Sequence, residues 1–127
     1  MSLSVPTDLL SRAEAGDVDD AAFVDCVRTS LPYAWSVVSD VAGRAGDTSA
    51  EHAVPPPGET ERGQLLRALA SDAIRGALER HFGVRLAFQN CHRVAAFAPA
   101  TVDGAGYREF VSPRAQIRNQ SPELRDC

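Results

Sequence analysis

The sequence predicts a mostly helical α+β fold, with three to four helices packed on a small antiparallel β-hairpin or three-stranded meander. Three observations predict it. Residues 60–82 repeat apolar side chains at three- and four-residue steps, the period of an amphipathic helix. Residues 84–98 change to the alternating and short apolar patterns of paired strands. The first 45 residues carry shorter helical repeats, interrupted by a glycine and a proline.

Taken in order, residues 6–15 predict a short helix with Thr7 as N-cap, Asp8 in the first turn and Gly16 as stop. Its apolar side is Leu9, Leu10 and Ala13. Residues 19–30 predict a second helix, opened by Asp19 and Asp20, with Ala22, Phe23, Cys26 and Val27 at helical spacing. Pro32 is tolerated only in a first turn, so a third helix starts there and runs to 44. Trp35, the single tryptophan, sits beside that break and reads as a core corner.

Residues 46–59, GDTSAEHAVPPPGE, read as a mobile surface loop, because consecutive prolines cannot continue a helix. His52 falls there and reads as solvated. The next segment predicts one helix of about six turns. Leu65, Leu66, Leu69, Ala70, Ala73, Ile74, Ala77, Leu78 and Phe82 form its apolar stripe. Arg80 and His81 suit its last turn, and Gly83 its left-handed C-terminal cap. Gly76 is either a tolerated interior glycine or a point of close helix approach. Strands follow at 84–89 and 93–98, with a tight turn at Asn90–Cys91. Residues 107–111, YREFV, alternate again and predict a third strand. The tail, 112–127, contains two Ser-Pro pairs, of which Ser121-Pro122 predicts a single helical turn. The expected core is Leu10, Phe23, Cys26, Val27, Trp35, Val38, Leu66, Leu69, Ala73, Ala77, Phe82, Leu86 and Phe88.

At 127 residues the chain predicts one domain, 1–127, with an ordinary 44% apolar content. No apolar run is long enough to span a bilayer, and the N-terminus lacks a basic start followed by an apolar stretch. The expectation is a soluble cytoplasmic protein with no membrane partner. All 13 basic residues are arginine, as the codon usage of a GC-rich genome favours. Residues 1–61 hold 11 acids and 3 arginines (−8), and residues 62–127 hold 6 acids and 10 arginines (+4), which sum to −4. The simplest meaning is attraction between the two halves, within one fold or across a homodimer. The other is an anion site formed by Arg85, Arg93, Arg108, Arg114, Arg118 and Arg125.

Three cysteines in a chain without a signal peptide argue against a disulfide framework. The densest chemical cluster is Gln89-Asn90-Cys91-His92-Arg93, where positive charge would lower the thiol pKa and His92 or His81 would act as base. Cys26, Cys91, Cys127, His81 and His92 also supply enough soft ligands for zinc, although no paired ligand spacing is present. Against both readings, neighbouring strand residues point to opposite faces, and Cys26 lies on an apolar helix stripe. A nucleic-acid partner is disfavoured by the acidic net charge and the absence of a binding fingerprint. Phosphate-loop, nucleophile-elbow and zincin motifs are absent, so no catalytic residue is assigned. The residues lean towards a non-enzymatic interaction or regulatory protein, forming a homo-oligomer or meeting another protein partner.

The segments DAAFVDCVRTSLPYAW (20–35), RGQLLRALASDAIRGALERHFGVRLAFQNCHRV (62–94) and NQSPELRDC (119–127) closely resemble a family of small uncharacterised actinobacterial proteins of Streptomyces type. The resemblance spans nearly the whole chain. It implies a soluble intracellular protein from a GC-rich genome, and it brings no catalytic residue, cofactor or substrate.

Overall fold

The structure is a computed structural model that describes residues 3–89 and 92–118. Its elements are α1 (Thr7–Glu14), α2 (Asp20–Ser30), α3 (Pro32–Ala45), β1 (Ser49–His52), α4 (Glu59–Leu69), α5 (Asp72–Phe82), β2 (Arg85–Gln89), β3 (Arg93–Phe97), α6 (Ala105–Phe110) and α7 (Pro113–Arg118). The fold is therefore α+β and mostly helical, as predicted. The three strands form one antiparallel sheet in the order β1-β3-β2.

The expected single helix over 60–82 is two helices. Ser71 is extended (φ −88°, ψ 119°) and its Oγ accepts from the Ile74 N–H at 3.3 Å, which makes it the N-cap of α5. Arg75 Nη1 donates to the Leu69 carbonyl at 2.9 Å and so closes the end of α4. Local capping thus overrides a periodicity that ran through the break. Leu66 and Ala73 consequently lie exposed instead of in the core, and Leu10 on α1 does likewise. Phe23, Trp35, Phe82 and Phe88 are half-buried against the core, and the other predicted core residues are buried.

Two further expectations are corrected. Residues 49–52, expected in a loop, pair with β3 as an edge strand: Ala50 lies opposite Ala96 and His52 opposite Val94. Pro56, in the middle of the following Pro-rich stretch, is buried. Residues 107–111, expected as a third strand, form the end of α6, with Val111 as its C-cap. The rings of Tyr107 and Phe110 lie 5.1 and 5.9 Å from the ring of Phe97. Side chains three apart share a helix face but fall on opposite faces of a strand, so packing both rings on Phe97 selects the helix.

The helix breaks at Gly16 and Pro32 stand where expected. Asp19 caps α2 through the Ala21 and Ala22 amides, whereas Pro6, not Thr7, precedes α1. Gly83 adopts the left-handed conformation (φ 67°) and turns α5 directly into β2. Around Gly76 the nearest atom a Cβ would meet is the guanidinium of Arg80 on the same helix, so no second helix approaches there. The predicted turn at Asn90–Cys91 and the Ser121-Pro122 turn lie outside the described residues.

The sheet separates two apolar clusters. Leu86, Val94 and Ala96 face the main core, with Val27, Leu31, Val38, Val41, Leu65, Leu69 and Leu78. Ala87, Ala95 and Phe97 face the other side and meet Phe110 and Tyr107. α2 lies along α5, where Arg80 Nε and Nη2 donate to the Asp20 carboxylate at 2.7 and 3.0 Å.

Candidate interaction surface

The ladder geometry determines which backbone groups of the sheet are open. The Ala98 N–H donates to the Thr48 carbonyl at 2.8 Å. Even-numbered residues of β3 therefore bond towards β1, and odd-numbered ones towards β2. In the β2–β3 register, Arg85, Ala87 and Gln89 lie opposite Phe97, Ala95 and Arg93. These three residues of β2 direct their N–H and C=O groups into the sheet. Leu86 and Phe88 turn theirs outward, along a free edge.

Both edges of the sheet carry a side-chain guard. On β1, a strand of four residues, Arg44 Nη2 donates to the outward Glu51 carbonyl at 3.1 Å. On β2 the Leu86 N–H donates to Glu79 Oε2 at 2.8 Å, and the Arg85 guanidinium lies 3.7 Å from the same carboxylate. The Phe88 amide and the outward carbonyls of Leu86 and Phe88 have no partner among the described residues. A groove of about 370 Å³ runs along this edge. Leu69, Ala70, Arg75 and Glu79 form one wall, Tyr107, Val111 and Gln116 the other, and residues 85–88 the floor. An unsatisfied strand edge in a groove of this kind accepts an extended chain, with main-chain hydrogen bonds for attachment and the walls for selectivity.

The residues singled out from sequence do not gather here, except Arg85. Cys26 is buried in α2. Burial, with the nearby carboxylates of Asp25 and Asp8, pushes its thiol pKa up, which disfavours the reactive thiolate. His81 packs on Trp35 and Phe82, with ring centroids at 5.5 and 4.7 Å. His92 is buried elsewhere, and its pKa is lowered, first by burial and then by the charges of Arg93, His52 and Arg62. His52 is half-buried, not solvated, and its Nε2 is enclosed with no hydrogen-bond partner among the described residues. Cys91 and Cys127 lie outside the described residues. Among the described residues no three His, Cys, Asp or Glu side chains gather as a metal-ligand set.

The C-terminal arginines are likewise dispersed, and Arg85, Arg93 and Arg114 are each paired with an acid. Arg93 and Arg118 line one groove of about 540 Å³, together with Glu51 and Glu109. Arg93 is paired with Glu51 and lies over the Phe110 ring, 5.8 Å from its centroid. Arg114 pairs with Glu109 at 3.4 Å. Arg108 is exposed on α6, and Arg125 lies outside the described residues. Gln89, on the floor of the larger groove, donates through Nε2 to the Phe110 carbonyl. It ties the sheet to α6 and so holds the second wall of the β2 groove in place. Sequence reasoning missed Glu79 as an edge guard because a glutamate on the polar side of a helix carries no mark of its distant partner. No helix of the described residues is long and apolar enough to cross a membrane.

A family model described as NucS shadow ORF matches residues 1–127, the full length of the chain. No curated protein and no solved structure matches it.

Proposed function

We propose that this chain, which belongs to the NucS shadow ORF family, is a small cytoplasmic, non-enzymatic interaction protein that works by adding a partner's strand to β2. The observation that carries this reading is the outward-facing Phe88 backbone at the floor of a walled groove. A buried sheet edge left without partners is costly, and pairing it with another chain removes that cost. Arg93 and Arg114, each paired with a neighbouring carboxylate, favour this reading over an anion site, and a buried Cys26 with a raised pKa favours it over thiol chemistry there.

The test fills the groove from its walls. Ala70 and Val111 are exposed, so Ala70→Arg and Val111→Asp leave the core untouched. Complexes captured on the wild-type chain and resolved by native mass spectrometry are expected to be lost with both variants, while circular dichroism stays unchanged. Complexes that survive both substitutions would place the interface elsewhere.

The family's description supports a second reading. A shadow reading frame overlaps another coding sequence, and its residues then follow from the codons of that other frame. Thirteen arginines without a lysine, and the resemblance to actinobacterial proteins, fit such an origin in a GC-rich genome. Against it stand helix caps at Asp19, Ser71 and Gly83 that agree with the tertiary packing, a consistency that selected sequences have. Peptide mass spectrometry of cells that carry the frame separates the two: the interaction reading needs the chain to be present.

A further inference from the structure

We infer that the occupant of the β2 groove is a second copy of this chain, whose β2 pairs antiparallel with the first across a two-fold axis at Ala87. The inference rests on the strand-addition reading above and names its partner.

Three features make the edge complementary to itself. The first is the backbone. A two-fold at Ala87 sets Leu86 opposite the partner's Phe88 and Phe88 opposite the partner's Leu86. These are the residues whose N–H and C=O groups point outward, so each pair exchanges two hydrogen bonds.

The second is the side chains. Ala87, the smallest side chain of β2, meets its own copy at the closest approach. Leu86 meets Phe88 on the core face, and the register sets Arg85 opposite Gln89 instead of a second Arg85.

The third is charge. The Gly83–Val84 turn folds β2 back along α5, and Arg75, Glu79 and residues 85–88 line one groove. One turn of helix from Glu79 to Arg75 rises about 6 Å, close to the roughly 6.6 Å between Leu86 and Phe88 in a strand. Glu79 stands beside Leu86, and Arg75 lines the same groove one helix turn further along, where its guanidinium holds the Leu69 carbonyl and the Asp72 carboxylate in the free chain. The two-fold that pairs Leu86 with Phe88 brings each Glu79 carboxylate to the Arg75 guanidinium of the other copy. In the free chain Glu79 holds the Leu86 N–H. On pairing, that N–H passes to the partner's Phe88 carbonyl, and Glu79 turns to Arg75. Acid and base exchange positions across the axis, which is what an isologous interface needs and a chance peptide does not supply.

The test is sedimentation of the full-length chain over a range of concentrations, for the wild type, Arg75→Glu, Glu79→Arg and the double exchange. The wild type is expected to dimerise. Each single reversal should weaken dimerisation by about tenfold or more, and the double exchange should restore it. Arg75 also closes the end of α4, so circular dichroism checks that its variants fold, and Ala87→Cys, which keeps every charge and leaves Arg75 in place, tests the pairing independently. Opposed residues of a non-hydrogen-bonded pair have Cα atoms about 4.5 Å apart, within reach of a disulfide. Oxidation should therefore yield a dimer linked through residue 87, mapped by peptide mass. A chain that stays monomeric throughout, or a dimer that neither the reversals weaken nor residue 87 links, would overturn the inference. If a monomer still loses a cellular partner on Ala70→Arg, the second-copy inference fails and strand addition stands; if it has no partner to lose, both fail.

Discussion

Gln64 caps a helix to which it does not belong. Its Oε1 accepts from the Tyr33 N–H at 2.7 Å and from the Ala34 N–H at 3.3 Å, the first free amides of α3. The residue before α3 is Leu31, whose side chain supplies no cap. The carboxamide on α4 takes that role from 6% exposure. It therefore joins the orientation of α4 to the start of α3 at the base of the core. Gln64→Ala is expected to cost about 1–3 kcal/mol, because it strands buried amides as well as removing a side chain. Gln64→Glu keeps an acceptor at the positive end of α3 and should cost less. Urea unfolding of the three proteins checks the order; equal losses for Ala and Glu would show that capping is not the cause.

Ser71 should matter more than an exposed serine within a helix. As N-cap of α5 its hydroxyl holds the Ile74 amide at 3.3 Å. Ser71→Ala is expected to cost roughly 1 kcal/mol, and Ser71→Asp, another strong cap, close to nothing. Were 60–82 one continuous helix, alanine at this position would stabilise it, since alanine has the highest helix propensity. The sign of the change in unfolding free energy decides between the two.

His92 predicts a pH dependence with a definite sign. Its folded pKa lies below the ordinary value, because burial and then the charges of Arg93, His52 and Arg62 disfavour the imidazolium. Unfolding releases it to the ordinary value of about 6.5. Below that pH the unfolded chain binds a proton that the folded chain refuses, so stability is full above about 6.5 and declines as the pH falls towards the folded value. Thermal unfolding between neutral and mildly acidic pH should show this decline in the wild type, and His92→Asn should flatten it. An unchanged slope in the variant would assign the decline to other groups.

What could be read from the sequence divides along a physical line. Elements whose signals are local were legible: the caps at Asp19 and Gly83, the proline at the start of α3, and the alternation of Leu86 and Phe88. Features decided by a partner distant in the chain were not. The strand β1 has only four residues, and nothing in SAEH marks it until β3 pairs with it. The sequence YREFV alternates like a strand, and only the ring of Phe97 makes a helix the better packing. The groove at β2 was invisible for the same reason, since its guard, floor and walls come from separate elements. The cluster around Cys91 was legible as chemistry, but His92 proved to be buried among cations and His81 to lie against Trp35.

Leu66 and Leu69 provide the last discrimination, because an unbroken apolar stripe gives them the same role. In the structure Leu69 is 1% exposed within the main core and Leu66 is 42% exposed. Removing a fully buried leucine loses its transfer energy and leaves a cavity beside neighbours such as Leu65 and Leu78, so Leu69→Ala should cost about 2–5 kcal/mol. Leu66→Ala should stay within about 0.5 kcal/mol, as exposed substitutions do. Urea unfolding of both variants reads the difference directly. A loss at Leu66 comparable to that at Leu69 would mean that α4 is rotated about its axis, and the wall of the β2 groove that Leu69 and Ala70 form would rotate with it.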